Sequence, residues 1–152
     1  MRKSDYAPDR PLGLLIAFAS FFALVLSAAA FALLIAAGPA GRVELEKESD
    51  RLVQMGASRL LLERLDLFLV ILTILSLLGI LKGLAIYGGS RRGFLFGAAV
   101  NGLAFVALLP WTNWDHLPVA LLNTAFLAVA TGSLALYCVL RIQGRIGPKP
   151  LE

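Results

Sequence analysis

Hydrophobic positions along this chain fall into four long blocks. The first covers residues 12–37 without a charged side chain, and the second covers 67–87 with Lys82 as its single interruption. The third covers 94–111 and the fourth 117–140, both uncharged. Roughly 20 helical residues cross a hydrocarbon core about 30 Å thick, so each block is long enough to span. Helix is the form such a block takes in lipid, because an isolated strand leaves its backbone N–H and C=O groups unpaired. The alternation expected of a membrane barrel is missing from the pattern. Arg2 and Lys3 ahead of the first block, with Ala28, Ala29 and Ala30 inside it, resemble a secretory signal. The apolar run continues past those alanines and exceeds a signal's core, so the reading is an uncleaved span. Its length requires tilt or protrusion.

Turn-forming residues separate the blocks. Gly38-Pro39-Ala40-Gly41 is expected to stop the first helix. Gly88-Gly89-Ser90, followed by Arg91 and Arg92, predicts a tight hairpin between the second and third spans. Pro110 and Pro118 bracket a short connection carrying Trp111, Trp114, Asp115 and His116, and Pro148 and Pro150 mark the tail. Between the first two spans, Glu44 and Lys47, and Glu48 and Arg51, stand at helical spacing. Leu45, Leu52 and Met55 fall near one face of the same segment. A short amphipathic helix is therefore expected there, broken by Gly56-Ala57-Ser58, and serving as a solvated connector or as a docking surface for a partner.

Projection at 100° per residue places small side chains on one face of every span. The first carries Ala19, Ala23, Ser27 and Ala30; the second Ser76, Gly79 and Gly83; the third Gly93, Gly97, Asn101 and Ala104. The fourth carries Ala120, Thr124, Ala128, Thr131, Ala135 and Cys138. Lipid solvates a leucine as well as another helix does, so spans associate where small residues allow their backbones to approach. Gly79 with Gly83, and Gly93 with Gly97, are the two GxxxG pairs. Glycine lowers helix stability, which makes these pairs more informative than the alanines. Asn101 is a strongly polar group near the middle of a span, and its amide calls for an interhelical hydrogen bond worth about 0.6–2 kcal/mol. Thr124 and Thr131 are expected to bond carbonyls of their own helix. Lys82 is expected to snorkel to the nearer interface.

Composition changes the picture from amphipathic to lipid-dissolved. Of 152 residues, 59% are apolar and 16% charged, against about 25% charged in a typical soluble domain. Mean hydropathy is +0.80. The net charge of +4 comes without an aromatic-interleaved basic patch, so a nucleic-acid partner is not expected. Lysines and arginines instead report orientation. With the N-terminus inside, Arg2, Lys3, Arg10, Lys82, Arg91, Arg92, Arg141, Arg145 and Lys149 lie on the cytoplasmic side. Arg42, Lys47, Arg51, Arg59 and Arg64 lie outside, and Trp111 and Trp114 become aromatic anchors at the outer interface. One cysteine, Cys138, excludes a disulfide relay, and one histidine, His116 in a loop, excludes bis-histidine haem ligation within the bundle. No span carries an aspartate or glutamate for proton coupling.

The chain thus reads as all-α, a four-helix transmembrane bundle forming one integral membrane domain over 1–152. Both termini are cytoplasmic and the outer loop is 38–66. It is expected in a cell membrane as a multi-pass protein, without catalytic, cofactor-binding or metal-ligating residues. The expected role is a non-catalytic subunit that packs with itself or within a larger membrane complex. Helix packing is assigned to Gly79, Gly83, Gly93, Gly97, Asn101, Thr124 and Thr131. The alternative is an oligomeric channel or transporter for a small solute or ion, lined by Asn101 and the threonines. A lipid-modifying enzyme would have to use Glu44, Glu46, Glu48 and Asp50.

Overall fold

The computed structural model describes residues 8–55 and 57–147. Arg2, Lys3, Gly56, Pro148, Lys149 and Pro150, used above, lie outside the described residues. All regular structure among those described is helical: α1 (Asp9–Gln54), α2 (Arg59–Glu63), α3 (Leu65–Tyr87), α4 (Arg91–Leu108) and α5 (Leu117–Ile142), with a 3₁₀ turn at Leu109–Trp111. Four of these helices, α1, α3, α4 with its 3₁₀ extension, and α5, are long and apolar enough to cross a membrane. Their outer surfaces are clad in large apolar side chains such as Phe18, Phe22, Leu33, Leu122 and Phe126, each more than 60% exposed. Such a surface is stable in hydrocarbon and not in water.

The helical run Asp9–Gln54 is two helices joined across a break at Gly38, so the first helix ends where Gly38-Pro39-Ala40-Gly41 predicts. A second helix resumes at once beyond the kink and runs to Gln54. Gly38 takes φ 58° and ψ −153°, a conformation open essentially to glycine alone. Pro39 follows as a first-turn residue of the continuing helix, where its missing N–H has no intrahelical acceptor to lose. The helix expected between the first two spans is the part of α1 that follows this break. Beyond it, α2 is a single short turn of helix before α3.

The helices pack in the order α1, α3, α4, α5, each against the next. The start of α1, the α3–α4 hairpin and the end of α5 share one end of the bundle, called the hairpin end here. Gly89 turns that hairpin with φ 67°. Ser90 caps α4, its Oγ accepting from the Gly93 N–H at 3.0 Å. The core sits toward the same end: Ile86, Phe94 and Cys138 are fully buried, with Ile16, Ala98, Tyr137 and Ile142 packed around them. All four spanning helices contribute to this cluster.

Candidate functional site

At the hairpin end, Asp9 in the first turn of α1 meets Arg141 in the last turn of α5. Arg141 Nη2 donates to Asp9 Oδ2 at 2.6 Å and its Nε donates to Oδ1 at 3.0 Å. The Tyr137 hydroxyl donates to the same Oδ1 at 2.7 Å. Arg141 Nη1 donates to the Ile146 carbonyl at 2.9 Å, and the guanidinium lies 5.2 Å from the Phe94 ring centroid. Both charged residues are buried. From the sequence alone, Arg141 is one of the cytoplasmic-side charges and Asp9 has no assigned role. A signal was present: an acid opens the first span and a base closes the last, at ends that an even number of crossings brings together.

Between α1 and α3, the backbones touch. A Cβ built on Gly13 would stand 2.5 Å from Tyr87 N and 2.6 Å from Gly83 O; one on Gly83 would stand 2.5 Å from Ala17 N. A Cβ on Gly79 would collide with Ser20 Oγ. Farther along, the Thr73 hydroxyl lies 3.1 Å from Ser27 Oγ. The α1 face toward α3 thus carries Gly13, Ala17, Ser20 and Ser27. The expected strip is rotated from it, and Ala19 and Ala30 are exposed. The expected strip begins at Ala19 and so leaves out Gly13 and Ala17, which lie within the same block.

The next interfaces use the remaining glycine pair. A Cβ on Gly93 would strike the Ala85 carbonyl, and one on Gly97 would stand 3.1 Å from Cys138 Sγ and 3.3 Å from Ile86 Cδ1. Ala120 and Cys138 on α5 are buried, whereas Ala128 is exposed. Thr131 donates to the Leu127 carbonyl at 2.7 Å. Thr124 differs from expectation: its buried Oγ1 finds no partner among the described residues.

Lys82 also departs from expectation. Its ammonium donates to Asn101 Oδ1 at 2.9 Å, and Asn101 Nδ2 donates to the Gly97 carbonyl at 2.9 Å. Helical Cα–Cβ bonds tilt toward the helix N-terminus. The N-terminus of α3 is at the far end, so the Lys82 stem leads away from the hairpin-end interface only about 8 Å distant. Asn101, on the antiparallel α4, leans the opposite way, and the two side chains meet. The ion pairs found among the described residues are Lys47–Glu44, Arg51–Glu48, Arg59–Asp50 and Arg141–Asp9, so none of them neutralises Lys82.

Asn101 also lines a groove of about 300 Å³ between α4 and α5, together with Gly102, Phe105, Ala128, Gly132 and Ala135. Nothing lies within 4 Å of a Cβ built on Gly102 or Gly132. At these two glycines, unlike those at 13, 79, 83, 93 and 97, a Cβ would meet no other helix among the described residues.

At the far end, the continuation of α1 and the α2–α3 segment enclose a cleft of about 380 Å³. Arg42, Glu46, Asp50, Arg59 and Glu63 line it over apolar residues that include Leu45. Its polar side chains are exposed, and Arg59 reaches Asp50 at 3.9 Å. Glu44 and Glu48 instead face Lys47 and Arg51 on the helix surface. Leu52 is half-buried, while Met55 is exposed. Nearby, Trp111 packs against Phe68 in a tilted arrangement with ring centroids 5.2 Å apart, and Trp114 is exposed. Asn113 is buried and donates to the Ala57 carbonyl at 2.9 Å, fastening the α4–α5 connection to the segment before α2. Among the described residues, no three His, Cys, Asp or Glu side chains are grouped to hold a metal ion. Comparison with known proteins finds no matching family model, no similar curated protein and no similar solved structure.

Proposed function

We infer that this multi-pass membrane protein is a non-catalytic subunit, assembling with a second copy or with another membrane subunit through the groove between α4 and α5. The observation that carries this reading is the pair Gly102 and Gly132, which stand in open space on a spanning surface. Each glycine lowers helix stability by about 1 kcal/mol relative to alanine. That loss has no compensating contact among the described residues, and a helix from outside, seated backbone to backbone, supplies one. Gly79, Gly83, Gly93 and Gly97 are already committed to internal contacts, so they hold the bundle together rather than the assembly.

The orientation favoured by the lysine and arginine distribution puts the hairpin end in the cytoplasm and the charged cleft outside. Leu45 and Leu52 beside that cleft offer a secondary contact for an outer partner.

Gly132→Leu tests the reading. A Cβ at this position meets nothing within 4 Å among the described residues, so the substitution fills the groove without striking the facing backbone at its first atom. Native-membrane complexes solubilised in mild detergent should shrink toward a single chain. An unchanged complex size defeats the assignment.

A further inference from the structure

Lys82 places a positive charge inside the spanning region with a neutral amide as its acceptor. An intramembrane ammonium is costly without an opposite charge. Among the described residues, no carboxylate lies within ion-pairing distance of it. Two of its three protons, and one of the two on Asn101 Nδ2, are left over by the bonds seen here. Asn101, 3% exposed, is at once the acceptor for this ammonium and part of the wall of the α4–α5 groove. The charge therefore stands one hydrogen bond behind the surface on which an incoming helix would sit.

We propose that the occupant of the groove is a transmembrane helix of a different protein, carrying an aspartate or glutamate level with Asn101 near the middle of α4. Charge complementarity selects this occupant over a second copy. The chain's own spanning blocks at 12–37, 67–87, 94–111 and 117–140 contain no acidic residue, and Asp9 is engaged by Arg141. A second copy would bring another Lys82 and no counter-charge. The small residues Gly102, Ala128, Gly132 and Ala135 bring the incoming backbone close, and the Asn101–Lys82 pair reads its carboxylate. This partner class rests on assembly through the groove.

The test uses the full chain and defined probes. Single-span leucine–alanine helices, identical except for Asp or Leu at the midpoint, are reconstituted with the chain in phosphatidylcholine vesicles, and association is read by energy transfer. The Asp helix should associate roughly tenfold more tightly than the Leu helix, the scale of one charge-assisted hydrogen bond. Lys82→Met should erase that preference while the Leu helix still binds, which shows that the variant is folded. Gly132→Leu should reduce association of both probes.

Equal association of the two helices with the unmodified chain overturns the proposal, as does an Asp preference that survives Lys82→Met. In either case, weakened binding of the Leu helix by Gly132→Leu still supports assembly through the groove. No association of either helix also overturns the proposal, and native complex size then judges the assembly reading separately.

Discussion

Asp9 and Arg141 lie 132 positions apart in sequence, yet their carboxylate and guanidinium meet at 2.6 Å in a buried site that closes the hairpin end of the bundle. The first and last spanning helices are joined there. Removing one partner of a buried pair leaves the other charge uncompensated, at a cost of about 3–5 kcal/mol. Asp9→Ala and Arg141→Ala should each destabilise on that scale in detergent unfolding. Asp9→Leu combined with Arg141→Met should recover much of the loss. Tyr137→Phe, which removes a single donor, should lose about 1 kcal/mol.

The glycines divide into two sets with opposite expected responses. Gly13→Ala and Gly83→Ala drive a methyl group into backbone of the facing helix, which no rotamer change relieves. Each should destabilise by about 1–3 kcal/mol or more, as overpacking does. Gly102→Ala and Gly132→Ala meet open space and should stabilise the isolated chain by up to about 1 kcal/mol through helix propensity. Steric-trap or SDS unfolding of the four variants checks both signs.

Lys82 and Asn101 should behave asymmetrically. Asn101→Leu leaves an ammonium in hydrocarbon without its acceptor and should destabilise by about 1–3 kcal/mol. Lys82→Met removes the charge itself and should be the milder change. In a double-mutant cycle, adding Lys82→Met to Asn101→Leu should recover stability rather than lower it further. Additive losses would show that the two side chains do not depend on each other.

Much of the architecture was legible because lipid imposes a simple demand: a spanning helix needs a long apolar run, and four are present, three of them uncharged and the second interrupted only by Lys82. The hairpin was legible in Gly88, Gly89 and Ser90. Long-range partners were not. Spacing marks Gly79 and Gly83 but does not name the face opposite, which the structure supplies as Gly13, Ala17 and Ser20. Lys82 misled because distance to the nearer interface was weighed without the direction of its Cα–Cβ bond. Gly38 and Pro39 mark a real break in the first helix, and what the pair does not show is that Pro39, tolerated in a first turn, lets a second helix begin at once.

That kink gives its own prediction. A Cβ built on Gly38 meets nothing within 4 Å among the described residues, so the effect of Gly38→Ala comes from its backbone conformation. Holding alanine at this φ and ψ costs about 1–3 kcal/mol. The variant should relieve the strain by changing the bend, moving the segment that follows relative to α2. Distance measurements between spin labels at positions 47 and 60 should shift in the variant and remain fixed in the unmodified chain.

Photo-crosslinking in the native membrane most directly tests whether a foreign helix occupies the α4–α5 groove. Phe105 lines the groove, whereas Phe126 stands 76% exposed on α5 and is absent from the groove lining. Either accepts benzoylphenylalanine with little change of shape. Irradiation should attach the probe at position 105 to another membrane protein and the probe at position 126 to lipid. Lipid adducts alone from position 105 would contradict the account.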